Sequence, residues 1–176
     1  MKIGVYVGSF NPVHKGHIHV ANYLLENKYV DKVIMIPTLN YWDKKNLINV
    51  EDRINMLKFY ENDKIIIDTT HNKCKYTYEI MDNLKKEYGN NLYLIIGSDN
   101  LEKLNLWKNA NKIMKNKIIV LKRNKDDKIK KLNANFIIID NWNPLKASST
   151  EVRRGNTMLL DKKVYEYIKK KKLYNL

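Results

Sequence analysis

Ile3-Gly4-Val5-Tyr6-Val7-Gly8-Ser9-Phe10-Asn11-Pro12-Val13-His14-Lys15-Gly16-His17 is the stretch that decides the fold. A short apolar run, residues 3–7, reads as a strand and stops at a glycine. Gly8 lets a bound group come close to the backbone, and Pro12 stiffens the turn. His14 and His17 stand either side of Gly16, at or just before the start of a helical pattern. That spacing aims both imidazoles at one point, where free helical N–H groups and the helix dipole favour negative charge. Strand, glycine-bounded turn, paired histidines and helix start together make a candidate phosphate site.

Outward from this stretch the same alternation continues. Residues 32–36, 64–68, 92–96, 117–121 and 136–139 are short runs rich in Val, Ile and Tyr. Near-continuous apolar character suggests strands covered on both faces of a parallel sheet. Helical spacing fills the intervals: Ile18, Ala21, Leu24 and Leu25 form one stripe, and Ile80, Met81 and Leu84 another. In residues 50–60 the stripe is read as Val50, Ile54 and Leu57, with Glu51, Asn55 and Lys58 facing water. The pattern predicts an α/β fold with a doubly wound, mostly parallel sheet. At 176 residues with no internal repeat or linker, residues 1–176 are expected to form a single domain. Residues 124–135, the most polar stretch, read as a surface excursion.

In such sheets ligands bind beyond the carboxyl ends of the strands, where strand order reverses. After residues 92–96 come Gly97-Ser98-Asp99, and then Trp107. A carboxylate at this position suits ribose hydroxyls, and the indole offers a flat face for a ring. Near the other end, Ala147-Ser148-Ser149-Thr150-Glu151-Val152-Arg153-Arg154-Gly155 places three hydroxyl residues before a helical pattern. They supply N-cap oxygens and leave amides free for a ligand, while Arg153 can fork a phosphate and Arg154 faces solvent.

Composition sets the outer bounds. An apolar share of 44% argues against disorder, and no stretch approaches the roughly 20 apolar residues needed to cross a bilayer. The beginning of the chain lacks the form of a signal peptide, so a cytoplasmic location without membrane contact is expected. A lone Cys74 excludes an internal disulfide framework and a multi-cysteine zinc site. The net charge of +14 comes largely from scattered lysines; only four of the 33 basic residues are arginine. This reads as a lysine-coated surface that attracts anionic substrates, without a nucleic-acid stripe.

Together these residues carry a specific family resemblance. Gly8–His17, written GSFNPVHKGH, resembles the HxGH signature of the nucleotidyltransferase superfamily, and Ser148-Ser149-Thr150-Glu151-Val152-Arg153 resembles its SSTxxR signature. The segment IIGSDNLEKLNLW, ending at Trp107, resembles the GxDxxxxLxxW segment of bacterial nicotinate-mononucleotide adenylyltransferases. Tyr76-Thr77-Tyr78-Glu79 is similar to that family's SYT-type helix start. Residues 51–57 are similar to its helix with an R–M–L pattern, which a structural role fits at least as well as a functional one, and residues 164–174 to its closing helix. Two departures stand out: Asn11 replaces a frequent Asp, and Tyr41-Trp42-Asp43-Lys44 replaces a loop that often carries two prolines and a histidine before the lysine.

The resemblance implies a Rossmann-like nucleotidyltransferase fold and direct transfer of AMP from ATP to nicotinate mononucleotide, giving deamido-NAD and pyrophosphate in NAD biosynthesis. It implies that Gly8, Ser9, Phe10, His14, His17, Gly97, Asp99, Ser148, Ser149, Thr150 and Arg153 bind ATP. His14, His17 and Arg153 are then the catalytic groups, and Lys44, Thr77 and Trp107 meet the mononucleotide, Trp107 by stacking on the pyridine ring. The attacking phosphate oxygen is already anionic, so catalysis reduces to positioning and charge stabilisation. Mg²⁺ is expected to enter with ATP, with no metal held by a dedicated protein cage. The nearest alternative is a phosphopantetheine adenylyltransferase or another small-molecule nucleotidyltransferase. A class I aminoacyl-tRNA synthetase would need a longer chain, and a basic nucleic-acid-binding module would not need chemistry at three separate strand ends.

Overall fold

The computed structural model describes residues 1–39 and 46–176. Six parallel strands run β1 (Ile3–Gly8), β2 (Lys32–Pro37), β3 (Ile65–Ile67), β4 (Leu92–Gly97), β5 (Lys117–Leu121) and β6 (Phe136–Ile139). Their order in the sheet is β3-β2-β1-β4-β5-β6, all neighbours parallel. The chain winds outward from β1 to β3, returns to β4 beside β1, and winds outward the other way. The crevice between β1 and β4 is therefore the switch point of the sheet.

Helices cover both faces because the strands are apolar on both. On one face α1 (Lys15–Glu26), α2 (Val50–Lys58), α6 (Ser149–Arg153) and α7 (Lys162–Lys171) bury Leu24, Met56, Val152 and Ile168 against Val33, Met35 and Ile119. On the other, α3 (Thr77–Tyr88), α4 (Ser98–Lys103) and α5 (Ala110–Ile113) cover the sheet, with Met81, Leu84 and Ile113 against Val5, Ile34 and Val120. Strand residues of opposite parity thus serve two separate cores, which accounts for the unbroken apolar runs.

The expected strands and long helices are present, with shifts that have local causes. β3 is shorter than residues 64–68 because flanking polar side chains take over its ends. Asn62 Oδ1 accepts from the Lys64 and Ile65 amides, and Asp68 turns its carboxylate onto the Thr70 and His71 amides. In α2 the buried stripe is Arg53, Met56 and Leu57; Val50 and Ile54 are only half-buried. The inward arginine rotates the helix relative to the expected stripe, and Asn55, expected in water, is half-buried and donates to the Tyr167 hydroxyl. α7 ends at Lys171 rather than reaching Tyr174, because Lys172 adopts φ 54° and turns the chain back. Residues 124–135 are irregular and largely exposed, as the polar reading predicted.

Candidate active site

β1 delivers the chain to the crevice at Gly8. Phe10 takes φ 46°, a left-handed conformation, and tucks its ring beneath the turn with 2% exposure. A Cβ on Gly8 would lie 3.2 Å from that ring, so the glycine makes room for Phe10 as well as for a ligand. The ring meets Tyr6 edge-on at 5.4 Å and His17 at 4.9 Å, forming an apolar floor under the imidazoles.

His14 is the N-cap of α1, and its Nδ1 accepts the Gly16 amide at 3.0 Å. His17 closes the box in the other direction, its Nδ1 accepting the His14 amide at 3.1 Å. The two rings stack at 3.7 Å. Because both Nδ1 atoms are acceptors, each neutral ring carries its proton on Nε2 and offers it as a donor. Burial holds the His14 pKa down to about 3, with Arg123 adding repulsion. His17 is also held well below its ordinary value by burial, then by His14 and Arg123. The pair is neutral at pH 7, and both rings donate without carrying charge.

The Ser-Ser-Thr turn docks directly onto this loop. Ser149 Oγ donates to the Pro12 carbonyl at 2.9 Å, and Arg153 Nη1 donates to the Asn11 carbonyl at 2.8 Å. Ser148 caps α6 by accepting the Glu151 amide at 3.1 Å, while Arg153 Nη2 reaches Thr150 Oγ1 at 3.3 Å. A Cβ on Gly16 would sit 2.9 Å from His14 Cε1 and 3.0 Å from the Ala147 side chain. Gly16 is what allows α1 and the approach to α6 to touch. Arg154 faces solvent, 74% exposed, beside Glu151.

At the end of β4, Asp99 falls in the first turn of α4, its side chain 57% exposed and 3.7 Å from Arg123 Nε. A Cβ on Gly97 would lie 2.6 Å from Asp99 Oδ1 and 2.8 Å from Arg123 Cδ, so this glycine lets both side chains cross the strand end. Ser98 is buried and ties the two strand ends, accepting the Arg123 amide at 2.9 Å and donating to Asp127 at 2.6 Å.

Two cavities open here. One of about 230 Å³ is lined by Gly8, Ser9, Phe10, His17, Gly97, Asp99, Arg123 and Trp142. The other, about 540 Å³, is lined by Thr38, Tyr76, Thr77, Lys103 and Trp107. Val7, Gly8, Ile95, Ile96 and Asn100 border both, so the β1 and β4 ends form a wall common to the two. Thr77 opens α3 and Trp107 follows the short turn Leu104–Leu106, half-buried at the second cavity. Lys44 lies outside the described residues.

Four residues at or behind this crevice were not singled out as site residues from sequence. Arg123 stands two residues beyond β5 and is one of four arginines; its place at a strand end is the signal that marks it. Trp142 is held by its Nε1 donating to the Lys122 carbonyl at 2.9 Å and stacks on His19 at 4.8 Å; nothing in its sequence neighbourhood marks it. Arg53, 1% exposed, donates to the carbonyls of Ser9 (2.7 Å), Thr38 (2.8 Å) and Ile48 (3.2 Å). It braces the ends of β1 and β2. The fourth, Tyr174, donates to Asn11 Oδ1 at 2.7 Å.

A parallel sheet of this order, with histidine and hydroxyl turns meeting at its switch point, is a Rossmann-like fold. The family model described as Cytidylyltransferase-like matches residues 5–155. The chain belongs to this cytidylyltransferase-like family. It is 34% identical to a "Probable nicotinate-nucleotide adenylyltransferase" of Fusobacterium nucleatum subsp. nucleatum, over 97% of this chain and 98% of the relative. A protein of the same name from Clostridium tetani is 33% identical, with 98% of each chain covered. Among solved structures, the fold matches Plasmodium falciparum nicotinic acid mononucleotide adenylyltransferase complexed with NaAD. The TM-score is 0.84 at 21% identity, over 99% of this chain and 97% of the other.

Proposed function

We propose that this chain transfers the adenylyl group of ATP to nicotinate mononucleotide, releasing pyrophosphate and forming deamido-NAD for NAD biosynthesis. The observation that carries the reading is the neutral, Nε2-donating histidine pair, joined to the Ser-Ser-Thr turn beside two cavities with a common wall. The relatives that match nearly end to end carry the name of this activity.

In this reading ATP occupies the smaller cavity, its ribose at Asp99 and Gly97, its phosphates running past Gly8, Ser9 and Phe10 towards α6. The mononucleotide occupies the larger one, its ring against Trp107 and its carboxylate end near Thr77. A phosphate oxygen of the mononucleotide attacks the α-phosphorus of ATP in line, and the bond to the bridging oxygen of pyrophosphate breaks. The nucleophile needs no general base. His17 Nε2–H donates to the α-phosphate as charge accumulates, with His14 beside it. Free amides at the start of α6, Thr150 and the part of the Arg153 guanidinium not used on Asn11 hold the leaving pyrophosphate. Arg123 adds a fixed positive charge over the same cavity.

Mg²⁺ would enter with ATP and would offset the charge of its phosphates. Asp99, a carboxylate in the ATP cavity, lies beside Arg123, and among the described residues no cluster of His, Cys, Asp and Glu could cage an ion. The purified chain, given MgATP with nicotinate or nicotinamide mononucleotide, is expected to release pyrophosphate and form the dinucleotide, faster with the acid. Absence of dinucleotide with both would refute the assignment.

A further inference from the structure

Asn11 is 5% exposed and sits where three parts of the chain meet. Its Nδ2 donates to the Asn46 carbonyl at 2.8 Å, its Oδ1 accepts the Ile48 amide at 3.4 Å, and its own carbonyl accepts Arg153 Nη1 at 2.8 Å. The shortest bond to its side chain comes from Tyr174, whose hydroxyl donates to Oδ1 at 2.7 Å.

The chain adopts unfavourable backbone to place that hydroxyl. After α7, Lys172 has φ 54° and the Leu173 amide returns to the Ile168 carbonyl at 3.0 Å, a closure that usually employs glycine. Tyr174 and Asn175 follow at φ 60° and 57°, which L residues rarely adopt in succession. Leu173, Tyr174 and Leu176 then pack against the core. Burial raises the Tyr174 pKa, against the pull of Arg53 and Arg153, so the hydroxyl donates as a neutral phenol at pH 7.

We propose that Tyr174 is a positioning residue for adenylyl transfer, fixing through Asn11 both the turn that carries His14 and the carbonyl that seats Arg153. Without the phenol, the buried Oδ1 keeps only the long bond from Ile48, and the Asn11 peptide is freed to shift. This rests on the adenylyl-transfer reading, and the test separates the two. Tyr167 supplies the control: it lies on α7, the helix that leads to Tyr174, and its hydroxyl donates to Asp52 (2.6 Å) and accepts from Asn55 (3.0 Å), both on α2.

Forward rates with MgATP and nicotinate mononucleotide, and reverse rates with deamido-NAD and pyrophosphate, would be measured for the full chain. Tyr174→Phe is expected to lower forward kcat about tenfold and to raise the reverse KM for pyrophosphate severalfold, with the mononucleotide KM little changed. Tyr167→Phe is expected to melt lower with kcat unchanged. Asn11→Asp keeps an acceptor for the phenol and should stay within about threefold of the parent kcat, whereas Asn11→Leu should lose about tenfold. Parent-like kcat in Tyr174→Phe, an equal fall in Tyr167→Phe, or equal kcat in the two Asn11 variants would each overturn the role. The Asn11 pair decides even if Tyr174→Phe does not fold. A parent chain without turnover would instead overturn the adenylyl-transfer reading, and the positioning role with it.

Discussion

At the scale of single residues, the tautomer of His17 is set by the backbone amide of His14, three residues earlier, which occupies Nδ1 and leaves only Nε2 to donate. His17→Ala is expected to depress kcat on the order of a hundredfold or more, because a preorganised donor acts on charge that develops in the transition state. KM for ATP should change little, and an unchanged kcat in steady-state assays would remove His17 from the mechanism. The same burial has a stability consequence. His14 has a folded pKa of about 3 against an ordinary 6.5, so between those values the unfolded chain binds the extra proton. Its contribution is fully present above pH 6.5 and is lost as pH falls towards 3; His17 acts in the same direction. Denaturant titrations from pH 7 to 4 should show stability falling on acidification, and a shallower fall in His14→Asn. Equal slopes would contradict the buried neutral ring. The pair was legible from its spacing; the protonation state was not, because it depends on Phe10, Tyr6 and Arg123, which only folding brings near.

At the scale of elements, the contact between α1 and the segment entering α6 explains why two signatures far apart in sequence act together. Gly16→Ala tests it with opposing expectations. On helix propensity alone, alanine would stabilise α1 by roughly 1 kcal/mol. In the fold its Cβ meets His14 at 2.9 Å and Ala147 at 3.0 Å, so α6 and the imidazoles are pushed apart. The expected result is no gain in melting temperature and a kcat loss of about tenfold or more; a stabilised, fully active variant would show that the contact is unimportant. The strands were readable because each faces two cores, and α3 because Ile80, Met81 and Leu84 are all buried. The α2 stripe was misread because apolar spacing cannot anticipate an arginine buried at 1% exposure, held by three carbonyls from distant turns. Asn11, a departure from the family pattern, donates its amide to the Asn46 carbonyl, a bond that Asn11→Asp gives up while it keeps the acceptor for Tyr174.

At the scale of the whole molecule, a charge of +14 surrounds a crevice that is proposed to take two anionic substrates. Long-range attraction should raise kcat/KM for both at low salt. Increasing ionic strength from 0.02 to about 0.3 M is expected to lower kcat/KM several-fold while kcat stays nearly constant. A salt-independent kcat/KM would mean that the lysines serve solubility alone. Topology places the chemistry: strand order reverses between β1 and β4, and the two cavities lie on either side of that point. The switch point could be anticipated as a rule, but which residues wall it could not, since Arg123 and Trp142 arrive there only through the parallel register of β5 and the return of the chain after β6. The most direct test is a crystal structure of the chain with deamido-NAD bound. The adenosine should lie in the smaller cavity, the pyridine ring against Trp107, and a bridging phosphate oxygen about 3 Å from His17 Nε2. A dinucleotide bound with its phosphates away from the imidazole pair and the start of α6 would contradict the account.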